Sequence, residues 1–381
     1  QADTTAKVQA IVDGFNAILA NATDASAANP TQAHYAATGV NGVDTAQEVT
    51  LLGDVIDSKA ATAVDSVSKV QTLADAVQAV MNGNPTLAQL AALGITGVDS
   101  ANLSTVQAGL AAAVDATQLN TLAGVQSVVN NAIYATGAIQ EAAQNNTATD
   151  TNPTAVQYAD LGVSGVNAQN LGAINSALND ADITGTQANT SAKVQSLVSA
   201  YNSILGTADG VANNSVNPAA ADYSAIGVTG VSTGLNETLL GEVIDGKASS
   251  DVNTVVKVQA LADAVQAVMN GSASQAQLEA LGVSGVTPAN LSTVQAALAA
   301  AADATELNTQ SGVQTVVTEA INALAAIESA AQTNTATATS PSLAQYDAMG
   351  VTGLGGTGEP TLAMVNDALN DADITGTQAN T

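Results

Sequence analysis

The chain repeats itself, and this constrains its fold more than any single residue does. Lys69 to Gly83 reads KVQTLADAVQAVMNG and Lys257 to Gly271 reads KVQALADAVQAVMNG, differing only at Thr72 and Ala260, at an offset of 188 (257 minus 69). NDADITGTQANT occupies 179–190 and returns letter for letter at 370–381. The opening QADT at 1–4 matches QANT at 187–190 and at 378–381. The 381 residues therefore divide into two large repeat units, 1–186 and 187–381, and we expect a window from a longer tandem array. A Val-Gln pair at 8, 70, 125, 194, 258 and 313 divides them again, into modules of about 7–68, 69–124 and 125–186, then 193–256, 257–312 and 313–381.

Each module reads as three helices. After Val-Gln, apolar residues such as Val70, Leu73, Val77, Val80 and Met81 fall at three- and four-residue intervals in a Pro-free, Ala-rich stretch. A polar loop follows, then Pro, Tyr five residues on and Gly-Val four residues later: Pro30/Tyr35/Gly39, Pro153/Tyr158/Gly162, Pro218/Tyr223/Gly227 and Pro341/Tyr346/Gly350. Pro in the first turn and Gly past the end bound a helix of about two turns. Leu90 and Leu278 replace the Tyr in two modules, so the position calls for bulk in a core rather than for a phenol. Gly-Val-x-Gly-Val follows, at Gly39 to Val43, Gly162 to Val166 and Gly282 to Val286, with variants at Gly94 to Val98 and Gly350 to Leu354. No strand precedes these glycines and no Lys follows, so they read as tight connections, not as a phosphate cradle. A third helix opens at Asn102-Leu103, Asn170-Leu171 or Asn290-Leu291, the Asn expected to cap it. No stretch alternates at period two for long enough to form a strand. The expected fold is all-α: tandem small three-helix modules forming an elongated repeat array.

Composition removes most chemistry. With 6 Lys plus Arg against 33 Asp plus Glu, the formal charge of −27 repels phosphate backbones and anionic membranes, so neither nucleic acid nor membrane insertion is expected. Without Cys, and with His34 as the one histidine, thiolate nucleophiles and zinc sites of the Cys/His type are excluded. His34 corresponds to Gln157, Asp222 and Gln345 in other modules, which fits a solvated helix residue and not a catalytic base. No Ser has a His and acid partner for hydrolysis. Seven aromatics (Phe15 and six Tyr) leave the cores to aliphatic side chains, and 46% hydrophobic residues suffice for folding. No apolar run approaches the roughly 20 residues of a membrane span. The chain opens on Gln with no basic segment followed by an apolar one, as expected of a processed or excised protein.

Two acidic patterns remain. Asp180-x-Asp182-x-Thr184-Gly185, repeated as Asp371-x-Asp373-x-Thr375-Gly376, resembles the start of a calcium loop, although the twelfth position holds Ser191 instead of an acid. We read these residues as a polar turn after a helix and keep calcium as the one cofactor left open. Asp54/Asp57 and Glu242/Asp245 recur between the units, followed by Lys59 and Lys247. Local surface charge balancing accounts for them, with a shared ion site as the alternative.

The residues also carry a resemblance. Leu281-Gly282-Val283, Asn290-Leu291 and Val313 opening a long helix are similar in order to the three-helix albumin-binding modules of bacterial surface proteins, with different spacing and longer loops. The whole repeat resembles the helical tandem repeats of large bacterial surface and adhesin-type proteins. That resemblance implies a non-enzymatic protein, secreted to the bacterial cell surface or extracellular matrix, serving as a structural stalk or spacer of an adhesin or biofilm matrix protein. Its partners would be neighbouring copies of the repeat, with other subunits of the same protein as a further option. The alternatives are a self-assembling filament or surface-layer subunit, calcium-bridged or not, and a module binding a host protein or glycan.

Overall fold

The computed structural model describes residues 4–24, 26–113, 116–145, 152–212, 215–301, 304–333, 340–371, 374 and 376. Among these the chain is all-α, and the one pairing of extended backbone is an isolated bridge between Asp209 and Ala248. By contacts it separates into Gln1–Val198 and Ser199–Thr381. The division falls inside a helix, a little after the sequence repeat restarts at 187.

The first unit runs α1 (Thr5–Asn21), α2 (Gln32–Thr38), α3 (Ala46–Asp57), α4 (Val67–Met81), α5 (Leu87–Leu93), α6 (Leu103–Ala112), α7 (Leu122–Asn145), α8 (Ala155–Asp160), α9 (Leu171–Leu178) and the head of α10 (Ser191–Thr207). Here α1 packs on α2 and α3, α3 on α4, α4 on α5 and α6, α6 on α7, and α7 on α8 and α9. The second unit continues with α11 (Ala220–Ala225), α12 (Leu235–Asp245), α13 (Val255–Met269), α14 (Gln275–Ala280), α15 (Leu291–Ala300), α16 (Gln310–Thr333), α17 (Leu343–Ala348) and α18 (Leu362–Leu369). Short 3₁₀ turns precede α4, α7, α13 and α16. In this unit α12 packs on α13, α13 on α14 and α15, α15 on α16, and α16 on α17 and α18.

Apolar spacing sets the packing. On α4, Val70, Leu73, Val77 and Val80 are all buried, the face their spacing predicts. The burial does not stop at the end of a helix group. Ile18, Tyr35, Leu52, Val70, Val77, Leu90, Val106 and Val129 belong to one contiguous core cluster running from α1 to α7.

Six short helices share one construction. The N-cap N–H of each is held by the side chain three residues on, as Thr86 by Gln89 and Thr154 by Gln157 at 2.8 Å, and Ser274 by Gln277 at 2.9 Å. Pro30 and Pro153 precede the N-caps Thr31 and Thr154, so they lie outside the first turn where the sequence placed them. The capping residue needs its own N–H and hydroxyl, which Pro lacks. At the other end the Val or Ile after the glycine donates five residues back, as Val40 to the Tyr35 carbonyl at 3.0 Å and Ile95 to that of Leu90 at 3.0 Å, closing a Schellman motif. Gly39 and Gly94 stand at φ +85 and +93 there, a region an L side chain enters only with strain.

The bulky position is buried in every copy, whether Tyr35, Tyr158, Tyr223 and Tyr346 or Leu90 and Leu278. Where Tyr158 and Tyr346 stand, their hydroxyls donate to Asn175 and Asn366 at 2.8 Å, and those amides donate to the carbonyls of Pro153 and Pro341 at 2.9 Å. Where Leu stands, the longer Gln107 and Gln295 reach the carbonyls of Pro85 and Ala273 directly, each at 3.0 Å. The side chain that ties the third helix to the loop therefore changes length with its neighbour.

Burial pushes the phenols of Tyr35, Tyr158, Tyr201 and Tyr223 well above their ordinary value of 10.0. As pH rises past 10.0 the unfolded chain releases these protons first, so the folded state binds more protons and loses stability. In an alkaline titration the phenolate absorbance of these buried tyrosines should rise together with loss of helical ellipticity.

Candidate functional site

The feature that recurs most faithfully is a junction, not a pocket. It joins the loop Gly-Val-x-Gly-Val to the Val-Gln at the head of the next long helix. Two glycines at positive φ, such as Gly94 at +93 and Gly97 at +83, turn the loop so that the N–H and C=O of the intervening x residue face the same way. The glutamine side chain meets both. Asn41 donates its N–H to Gln71 Oε1 at 2.9 Å, and Gln71 Nε2 donates back to the Asn41 carbonyl at 3.0 Å. Thr96 and Gln126 repeat this at 2.9 and 3.1 Å, and Ser164 and Gln195 at 2.8 and 3.2 Å. In the second unit Thr229 with Gln259 and Ser284 with Gln314 do the same, each pair at 2.8 and 3.2 Å. A primary amide presents a donor and an acceptor side by side, as a peptide group does, so one glutamine closes the ladder a strand would otherwise close.

Apolar packing surrounds each clamp. The valine before the glutamine (Val70, Val125, Val194, Val258 or Val313) is fully buried, and so are the apolar residues of the loop, Val40, Ile95, Val163, Val228 and Val283. Burying one such valine contributes roughly 1.5–3 kcal/mol, more than the net 0.5–1.5 kcal/mol of a hydrogen bond. Packing thus supplies the energy and the glutamine fixes the register.

The asparagines that open the third helices match caps in type and position, but the structure assigns them another role. Asn102, Asn170 and Asn290 make no cap bond. They donate instead to the carbonyls of Gly97, Gly165 and Gly285 at 3.0, 2.7 and 3.1 Å. Each braces the second glycine of the clamp loop from behind.

The recurring acids also have a structural role that local charge balancing does not describe. Asp54 Oδ2 accepts the N–H of Leu122, the first residue of α7, at 2.5 Å, and Glu242 Oε2 accepts that of Gln310, the first residue of α16, at 3.0 Å. A carboxylate at a helix N-terminus satisfies an orphan donor and opposes the positive end of the helix dipole. Sequence reading missed this because the partners stand 68 residues apart in each unit. A shared offset of acid and helix start was the one available signal.

His34 accepts the Thr31 N–H on Nδ1 at 3.2 Å, the place that Gln89, Gln157, Asp222, Gln277 and Gln345 take in the other short helices. Its variability follows from that role, which any acceptor of suitable reach can fill.

The calcium-like residues lie in the turn after α9. Asp180 accepts the Asp182 N–H at 3.0 Å, while the N–H and hydroxyl of Thr184 both donate to Gln187 Oε1, at 2.8 and 3.0 Å. Burial raises the Asp180 carboxyl above the usual range, with the charge of Asp182 adding a smaller push and the bond from the Asp182 N–H opposing both. In the second copy Asp371 is described, and Asp373 and Thr375 lie outside the described residues. Among the described residues no group of three or more His, Cys, Asp or Glu converges. A cleft of about 210 Å³ beside Gly109, Ala113, Val128 and Asp160 contains one acid, whose carboxyl burial raises, and no second titratable group to work with it. No described helix is long and apolar enough to cross a membrane.

Compared with known proteins, the chain matches no family model, no curated protein and no solved structure.

Two measurements follow. Gln126→Ala and Asp54→Ala should each lower stability by about 1 kcal/mol, read from the denaturant midpoint, whereas Gln9→Ala, which breaks no clamp, should leave it nearly unchanged. Calcium titrated into the chain should release no heat at millimolar concentrations, as the polar-turn reading requires; a saturable heat would support the cation reading.

Proposed function

We infer that the chain is a non-enzymatic structural spacer in which six three-helix modules stand in tandem as an elongated array. The supporting observation is the junction itself: one clamp, with the same two hydrogen bonds and the same buried valine, made five times among the described residues between successive loop and helix segments. A surface built and rebuilt in this way sets the spacing of parts and transforms no substrate. The contact from Asp54 to α7, and from Glu242 to α16, ties the first module of each large unit to the third, so the large unit is the step by which the array lengthens.

The setting follows from charge and repeat texture. Near-identical modules in one chain risk pairing wrongly as they fold, and a charge of −27 holds exposed faces apart. An exported stalk in a bacterial adhesin or biofilm matrix protein uses both properties.

Chains built from one, two and three large units should show a maximum dimension in small-angle scattering that rises by a constant increment, with or without calcium. A dimension that rises only with the cube root of mass would replace the spacer with a globule.

A further inference from the structure

Three Asn-Gly pairs stand in the chain, at Asn41-Gly42, Asn82-Gly83 and Asn270-Gly271. An asparagine followed by glycine can react with its own backbone. The glycine nitrogen loses its proton to solvent base and attacks the side-chain carbonyl carbon, with no Cβ on the glycine to block the approach. The asparagine is exposed in all three pairs, so access alone does not separate them.

The state of the glycine N–H does. Gly83 and Gly271 donate theirs to the Val80 and Val268 carbonyls, each at 3.0 Å, at the ends of α4 and α13. A bonded N–H gives up its proton only when the bond opens. Asn82 and Asn270 also stand at ψ 0 there, and both glycines pack too closely on Ala111 of α6 and Ala299 of α15 to admit a Cβ. Closing a five-membered ring would turn ψ far from that value and undo the helix end with its packing. Asn41 lies outside any helix, and the Gly42 N–H makes no hydrogen bond. What restrains Asn41 is the clamp, because the bond from Gln71 to its carbonyl at 3.0 Å must break as ψ turns. One such bond slows the reaction by a factor of about ten at most.

We propose that Asn41 is a self-modification site built into the first clamp. The Gly42 nitrogen bonds to Asn41 Cγ, the Cγ–Nδ2 bond breaks, and the amide nitrogen takes up a proton and leaves as ammonia. Water then opens the cyclic imide at either carbonyl, giving aspartate or, with the main chain rerouted through Cβ, isoaspartate. Both products lose the bond from Asn41 Nδ2 to the Gly39 carbonyl at 3.1 Å and put a negative charge in its place. Isoaspartate also adds one backbone carbon between the clamped N–H and Val43, which is buried. The clamped position holds Thr96, Ser164, Thr229 and Ser284 in the other copies, none with a side-chain amide. Thr229 is the counterpart of Asn41 in the second unit, so the first unit can lose its first clamp by this route and the second cannot.

The test is peptide mass spectrometry on the intact chain, aged in mildly alkaline buffer and digested at acid pH, with conversion of amide to acid scored at each pair. The same chain in denaturant supplies the intrinsic rates, which should be alike at all three. In the native chain Asn41 should react more than about tenfold faster than Asn82 or Asn270. Gln71→Ala should speed Asn41 by up to about tenfold and leave the other two unchanged. As Asn41 converts, the denaturant midpoint should fall. Asn41→Thr, which installs the residue the second unit uses, should keep its midpoint through the same ageing. Reaction at Asn41 no faster than at Asn82 and Asn270, or a converted chain with the midpoint of the fresh one, overturns the proposal.

Discussion

The structure depends on a side-chain amide taking the place of a peptide. A loop that leaves a two-turn helix through two left-handed glycines exposes one N–H and one C=O on the same side, and both must find partners. Gln71, Gln126, Gln195, Gln259 and Gln314 answer that demand, each from the second position of its Val-Gln pair. Because the valine beside it enters the core at the same point, register and burial are fixed in one step. A glutamine shifted by one residue would turn away from the loop while the valine turned toward solvent.

Around this joint the sequence varies within limits set by reach. Tyr158 pairs with Asn175 and Tyr346 with Asn366, while beside Leu90 and Leu278 the longer Gln107 and Gln295 make the bond to the loop carbonyl themselves. The capping position shows the same tolerance, with His34, Gln89 and Asp222 exchanging one acceptor for another. Geometry is retained and chemical identity is not, the opposite of what a catalytic constellation requires. The acids follow this pattern too. Asp54 and Glu242 differ by a methylene and serve the same purpose, each closing the N-terminus of a helix far along the chain.

The sequence was most legible where spacing carries the information. The 3.6-residue rhythm of Val70, Leu73, Val77 and Val80 foretold a helix and its buried face, and Pro, Tyr and Gly bracketed the short helices. Local rules misplaced finer details. Pro30 sits before the cap because the capping residue must donate, and Asn102 turns back to Gly97 although its type and position fit a cap. The Val-Gln pairs were visible as landmarks, but nothing local revealed that Gln71 reaches back 30 residues to Asn41.

Repetition, helix periodicity and a composition poor in aromatics and cations were decided by the sequence alone: an all-α chain with aliphatic cores and no histidine or cysteine chemistry to spare. Only the tertiary structure could decide which repeated residues face each other. A hydrogen bond between distant segments leaves no periodic trace, since its partners are brought together by the packing of everything between them. For the same reason Val8 and Val70 are the same letter in the same motif, yet one is exposed and the other buried, because only Val70 has a clamp loop packed against it.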